Sequence, residues 1–192
     1  SCPDVWLGPG VNRVPLVISA DQNAPAFVGN LQLTGMTKTT GSRDVFGSSI
    51  VRSGLTMGSS RLTTGIPLAV TEPAPFRVSA NGHEKRTHHL FGKLEVRHSP
   101  GSILDVAVQI DRSESSHQSP VKLIGVGLPP LMQNQIAIIP VGKSKGYISF
   151  YLPPTLPLGT YTIVVQAVTT IAGKNNKGTR SVSVHTNPVT FE

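Results

Sequence analysis

Six histidines are the first residues to consult for chemistry, and four of them, His83, His88, His89 and His98, crowd into one short stretch. His83-Glu84 followed by His88 spells H-E-x-x-x-H. A zinc-protease helix needs H-E-x-x-H, because only a four-residue step puts both imidazoles on one helical face. Here the spacing is one residue too long and the segment carries no helical pattern, so it reads as a polar junction with exposed histidines. His117 and His185 stand apart from the group. Serines are plentiful, but no G-x-S-x-G elbow presents one as a nucleophile. Asp105 and Asp111 flank a single strand-like run, and no D-x-D-x-D loop offers a calcium site. Gly8-Pro9-Gly10 is a turn; it lacks the Lys-Ser/Thr that completes a phosphate-binding loop. The sequence therefore names no catalytic residue, no cofactor-binding residue and no metal ligand, and the expectation is a protein that is not an enzyme and has no cofactor.

Composition narrows the remaining classes. The chain has 192 residues, with 17 Lys+Arg against 10 Asp+Glu and a formal charge of +7. Charged residues make up only 14% and mean hydropathy is +0.01, a balance unlike that of disordered chains. No apolar run is long enough to span a membrane. The basic excess admits an acidic polysaccharide or acidic proteins as partners. Its clusters, Lys85-Arg86, Lys143/Lys145 and Lys174/Lys177/Arg180, have no interleaved aromatics, so a nucleic-acid stacking platform is not expected. Cys2 is the single cysteine, which excludes an internal disulfide and a Cys-based zinc ribbon. It is either an inert thiol near a terminus or the partner of a segment outside this sequence.

The elements that must position these residues are strands. Leu104, Val106, Val108 and Ile110 alternate with polar or small residues, as do Tyr161, Ile163 and Val165, and again Val182 and Val184. Period two is what a half-buried antiparallel strand requires. Turn residues separate the runs: Ser-Pro-Gly at 99–101, Leu-Pro-Pro at 128–130, Leu-Pro-Leu-Gly at 156–159 and Gly-Lys-Asn-Asn-Lys-Gly at 173–178. No stretch shows helical periodicity. The expected fold class is all-β, a sandwich or barrel of short strands.

An internal repeat sharpens that expectation. Val5–Gly41 aligns without gaps on Ala137–Gly173, matching Gly10 to Gly142, Pro25 to Pro157, Thr37 to Thr169 and Gly41 to Gly173. Two copies of one β module follow: residues 1–82 as a partial module, and residues 83–192 as a complete one, with the boundary near Asn81–Thr87. The first copy lacks the strand-like stretch that precedes Ala137 at 88–136, so the chain is expected to begin inside its first module. Val70 and Val184 read as equivalent final-strand positions, which leaves the first copy with a Gly/Ser-rich insertion at 43–62. Leu7, Leu16, Ile18, Leu31 and Leu33 read as the inner face of this partial module, and Trp6 as core.

The motifs of the second copy carry a family resemblance. Gly-Leu-Pro-Pro at 127–130, Ile138-Ile139-Pro140-Val141-Gly142, Ile148-Ser149-Phe150 and Leu156-Pro157-Leu158-Gly159-Thr160-Tyr161 resemble the signature of bacterial immunoglobulin-like tandem repeats, found in large secreted and cell-envelope proteins beside prepeptidase-type domains. Leu131 departs from the pattern, which has Gly there. The resemblance implies two tandem immunoglobulin-like β-sandwich modules, the first lacking its N-terminal strands. It implies an extracytoplasmic, non-catalytic structural or adhesive role, as spacer or as assembly contact through strand completion. The completing strands would come from upstream polypeptide or from neighbouring subunits of an envelope or fibre assembly. Two other functions stay open: an accessory region of a secreted hydrolase whose catalytic domain lies outside this chain, and a carbohydrate-binding module.

Overall fold

The computed structural model of the protein describes residues 1–21, 23–37, 39–45, 47, 49–51, 61–63, 65–70, 76–82, 85–88, 92–95, 98–112, 119–172 and 178–192. Every regular element among them is a strand. In chain order these are β1 (Phe27–Leu31), β2 (Leu33–Thr37), β3 (Gly41–Val45), β4 (Ser49–Val51), β5 (Arg61–Thr63), β6 (Ile66–Val70), β7 (Phe76–Gly82), β8 (Lys85–His88), β9 (Gly92–Glu95), β10 (Ile103–Arg112), β11 (Val121–Val126), β12 (Ile136–Ile139), β13 (Lys145–Tyr151), β14 (Tyr161–Ala172), β15 (Thr179–His185) and β16 (Val189–Phe191). The chain divides into two compact units: Ser1–Ser19 together with Ala74–Glu192, and Ala20–Pro73.

The larger unit is sandwich-like. One sheet has the order β13-β10-β7, the other β12-β11-β14-β15, with β16 also pairing β14. All these pairings are antiparallel. Period-two alternation sends Phe76, Val78 and Ala80 of β7, Leu104, Val106, Val108 and Ile110 of β10, and Ile148 and Phe150 of β13 inward. They share one apolar cluster with Val121, Leu123, Ile139, Ile163, Val165 and Ala167 of the second sheet. Burying each such side chain stabilises the fold by roughly 1.5–3 kcal/mol, which is why register is fixed here: a one-residue slip would turn every one of them to solvent.

Along the side away from β11, the long strand β14 serves two partners in turn because Pro188 cannot donate a ladder hydrogen bond. Residues Gln166–Ala172 pair with β15 and Tyr161–Ile163 with β16. At the break the fully buried Thr186 bridges the gap: its N–H donates to the Val165 carbonyl (2.9 Å), and its Oγ1 accepts the Val165 N–H (3.1 Å). Asn187 clips the two sheets together, its Oδ1 accepting the Ala80 N–H and its Nδ2 donating to the Ala80 carbonyl, both at 2.9 Å.

The smaller unit consists of two-stranded ribbons. β1 pairs β6, β2 pairs β3 and β4 pairs β5, and none of these strands has a second partner among the described residues. All of the buried hydrophobic side chains among the described residues lie at Phe76 or beyond, outside this unit.

Several expectations from the sequence meet a different arrangement. The boundary drawn between residues 82 and 83 does not coincide with the division into units. β7, placed in the first module, pairs with β10 from Phe76↔Arg112 to Gly82↔Val106, and its alternating apolar side is part of the sandwich core. Residues 1–19 also belong to the larger unit. They form no strand, because Pro3, Pro9 and Pro15 remove donors from any ladder. The segment crosses the larger sheet instead: the Trp6 N–H donates to Thr162 Oγ1 (2.9 Å), Gly8 lies against the Tyr161 ring and Pro15 against Gly127. Leu7, Leu16 and Ile18 are exposed rather than inward-facing, and Trp6, expected in the core, is 55% exposed. Leu31 and Leu33 are half-buried. The insertion at 43–62 contributes β4 and β5, while 52–60 lie outside the described residues.

What the aligned copies do share is a turn. Gly8-Pro9-Gly10-Val11 closes with the Val11 N–H on the Gly8 carbonyl (3.1 Å) and Gly10 at φ 75°. Pro140-Val141-Gly142-Lys143 closes identically, with Lys143 N–H on the Pro140 carbonyl (3.1 Å) and Gly142 at φ 72°. A positive φ at the third position is the mark of a type II turn and explains glycine at both matched sites.

Candidate interaction surfaces

The residues singled out for chemistry are scattered. His83, Glu84, His89 and His117 lie outside the described residues; His88 sits in β8, where only the backbone is described. His185 is exposed at the end of β15. His98 packs edge-on against Phe191 with ring centroids 6.5 Å apart, and its backbone N–H donates to the Glu192 carbonyl (2.9 Å). Burial pulls its pKa below the ordinary 6.5, partly opposed by the Asp105 carboxylate.

Asp105 and Asp111 both point outward from β10 but stand six residues apart along it. At about 3.3 Å per residue that is roughly 20 Å, too far for paired acid–base work. Asp105 instead accepts the hydroxyl of Ser149 on the neighbouring strand. Cys2 is free and exposed. Among the described residues no group of three His, Cys, Asp or Glu side chains comes together to hold a metal ion, and no helix is long and apolar enough to cross a membrane.

Tyr161 is held at both its ring and its hydroxyl. It opens β14, is buried, stacks on Phe191 at 5.6 Å, and donates its hydroxyl hydrogen to the Pro157 carbonyl at 2.6 Å. Burial pushes its pKa above 10. The sequence placed Tyr161 in a turn-to-strand motif without revealing this bond, since the acceptor belongs to a bend four residues upstream.

What the fold leaves exposed is apolar and on strands. In the smaller unit Val28 and Met36 are each 83% exposed, with Phe27 and Val45 about half exposed. In the larger unit, β12 is the terminal strand of its sheet, and its outward residues Ile136 and Ile138 are 61% and 65% exposed. Val141, in the following turn, is also exposed. A second exposed set, Tyr147 and Tyr151, projects from the outward side of β13.

Charge is segregated along the chain. No Asp or Glu occurs anywhere from Ser115 to Phe191, a stretch that holds β11 to β16 and Lys122, Lys143, Lys145, Lys174, Lys177 and Arg180. The ten acidic residues all fall before or after it. The signal was present in the sequence, but net charge alone hid it; it gains meaning because five of the six strands in the stretch, β11, β12, β14, β15 and β16, share one sheet. No protein-family model matches the chain, and no curated protein matches it.

Proposed function

We propose that the chain is a non-catalytic structural or adhesive module of a secreted or cell-envelope protein, built on an immunoglobulin-like sandwich and acting as an assembly contact through strand completion. Two features support the immunoglobulin-like reading. The order β13-β10-β7 against β12-β11-β14-β15 corresponds to strands E-B-A against C′-C-F-G. The Tyr161 hydroxyl bond to the upstream Pro157 carbonyl has the form of a tyrosine corner at the start of strand F.

The observation that carries the assembly reading is the state of residues 20–73. Each described strand there has one partner and an open edge, and Val28 and Met36 are almost fully exposed. Two-stranded ribbons without a buried face are marginal in water, and open edges template pairing with another chain. The test is sedimentation velocity over a concentration series. The wild-type chain should associate, and the double substitution Val28→Lys, Met36→Lys should abolish association while leaving the melt of the sandwich unchanged. A wild-type chain that stays monomeric at every concentration would refute the assembly role.

The outward tyrosines favour a second reading, glycan binding. Tyr147 and Tyr151 lie four residues apart on one face, about 13 Å along the strand, with the Asp105–Ser149 hydrogen bond on the rung between them. Retention on an insoluble polysaccharide that is lost with Tyr151→Ala would support it.

A further inference from the structure

We infer that the β12 edge of the sandwich is a docking site for an extended acidic polypeptide segment, added as a further strand to the five-stranded sheet. The site is separate from the ribbon contact proposed above and does not depend on it.

Among the described residues the two sheets have four edges, one of them shared by β15 and β16 along β14, and three carry features that discourage pairing. β7 holds Arg77, and both backbone groups of Ala80 are taken by the Asn187 side chain. β13 begins with Lys145, and β15 holds Arg180 with outward serines and His185. Natural edges are blunted by such charges and covers. β12 has none of them. Its sequence, Ile-Ala-Ile-Ile, contains no charge, proline or glycine, it pairs only with β11 among the described residues, and two of its isoleucines face solvent. That combination is what strand addition uses: backbone groups supply the pairing and alternate side chains fix the register.

The occupant follows from charge. Ile138 is paired across the sheet with the exposed Lys122, the turn leaving β12 carries the exposed Lys143, and β13 opens with the exposed Lys145. Because residues 115–191 contain no carboxylate side chain, nothing on β11 to β16 offsets Lys122, while the exposed Asp111 of β10 stands alongside the Lys143–Lys145 segment, where the Ile110 N–H donates to the Ser144 carbonyl. A second copy of the same edge would bring like charges together, which opposes self-pairing. An anionic partner is attracted. A polysaccharide has no use for an unpaired strand edge or for solvent-facing isoleucines, and a nucleic acid would need stacking aromatics; β12 and its neighbour β11 carry no aromatic residue. A strand whose solvent-facing side carries both apolar and acidic residues satisfies all three features. Ile136, Ile138 and Lys122 share the outward side of the sheet, so the apolar and acidic side chains of the added strand would lie together on that side, the first beside the isoleucines and the second toward Lys122.

The probe is a fluorescein-labelled octapeptide, Thr-Val-Thr-Glu-Thr-Val-Thr-Glu, in which Val and Glu alternate along one face, titrated with the full chain and read by anisotropy. Controls are its Val-Lys counterpart, the same Val-Glu peptide N-methylated at alternate backbone nitrogens, polyglutamate and dextran sulfate. Saturable binding of the Val-Glu peptide alone is expected. The exposed triple substitution Lys122→Glu, Lys143→Glu, Lys145→Glu should weaken it by about tenfold, each charge contributing a surface-sized increment. Ile138→Asn should weaken it with the charges intact, and circular dichroism melts should show both variants folded; Lys122→Gln, milder than the charge reversals, serves if the triple variant fails to fold. Absence of saturable binding would overturn the inference. So would equal binding of the N-methylated peptide, which would deny backbone pairing, and so would equal binding of polyglutamate or dextran sulfate, which would reduce the site to ion exchange.

Discussion

Replacing Gly8 by alanine should detach the N-terminal segment from the sandwich. Gly8 is buried, and a Cβ built on it would fall inside the van der Waals envelope of the Tyr161 ring, meeting three ring carbons. Tyr161 cannot yield easily, because its hydroxyl is tied to Pro157 at 2.6 Å and its ring is stacked on Phe191. The backbone at Gly8 must therefore lift. Lifting removes the Trp6 N–H bond to Thr162 (2.9 Å) and the weaker contact of the Tyr161 hydroxyl with the Pro9 carbonyl (3.4 Å). It also uncovers this end of β14, where Thr162 and Val164 point away from the core yet are 3% and 0% exposed. Overpacking of this kind costs about 1–3 kcal/mol, and one lost hydrogen bond adds about 1 kcal/mol. The total of about 2–4 kcal/mol corresponds to roughly 4–16 °C in Tm for a chain of this size.

Thermal melts should be paired with limited trypsin digestion, since Arg13 lies in the same segment and is exposed. Cleavage after Arg13 should accelerate in Gly8→Ala. The control is Gly10→Asn. Gly10 has φ 75°, and a Cβ there would meet no atom within 4 Å. Asparagine tolerates that backbone region, so this variant should melt within about 1 kcal/mol of wild type. If Gly8→Ala melts and digests like wild type, the segment is not seated on Tyr161. If Gly10→Asn is as damaging as Gly8→Ala, backbone strain rather than crowding governs the segment.

Two further outcomes can be checked. Tyr161→Phe removes one hydrogen bond while keeping the stacked ring, so it should cost about 1 kcal/mol against roughly 3–5 kcal/mol for an aromatic-to-alanine truncation at the same position; equal losses for the two in urea melts would show that the hydroxyl bond is the whole of the residue's contribution. The depressed pKa of His98 gives stability a defined pH dependence. Below the ordinary value near 6.5 the unfolded chain takes up a proton that the folded chain resists, so stability should decline as pH falls from about 6.5 toward the folded-state pKa. His98→Phe should flatten that part of the stability–pH curve, and Asp105→Asn, which removes the opposing carboxylate, should steepen it.

Strand content was readable in the sequence because it is a local property. Alternation at 104–110, 161–165 and 182–184 depends only on which face of a pleat each side chain takes, and those residues fall in β10, β14 and β15. The Pro-Gly turns were readable for the same reason: four residues contain the whole constraint, so Gly10 and Gly142 adopt the same turn although little around them matches. Partnership is not local. Whether β7 completes the sheet of β10, and whether residues 5–19 form strands like their aligned counterparts 137–151, is decided by which apolar faces meet and by prolines that deny a ladder its donors. Trp6 shows the cost of reading core membership from alignment with Ile138, for both residues are exposed in the fold, one on a proline-rich segment and the other on a sheet edge. The acid-free stretch 115–191 was in the sequence throughout. Only the sheet topology, which gathers β11, β12, β14, β15 and β16 into one sheet and leaves β12 at its margin, turns that composition into a surface with a sign and an open edge.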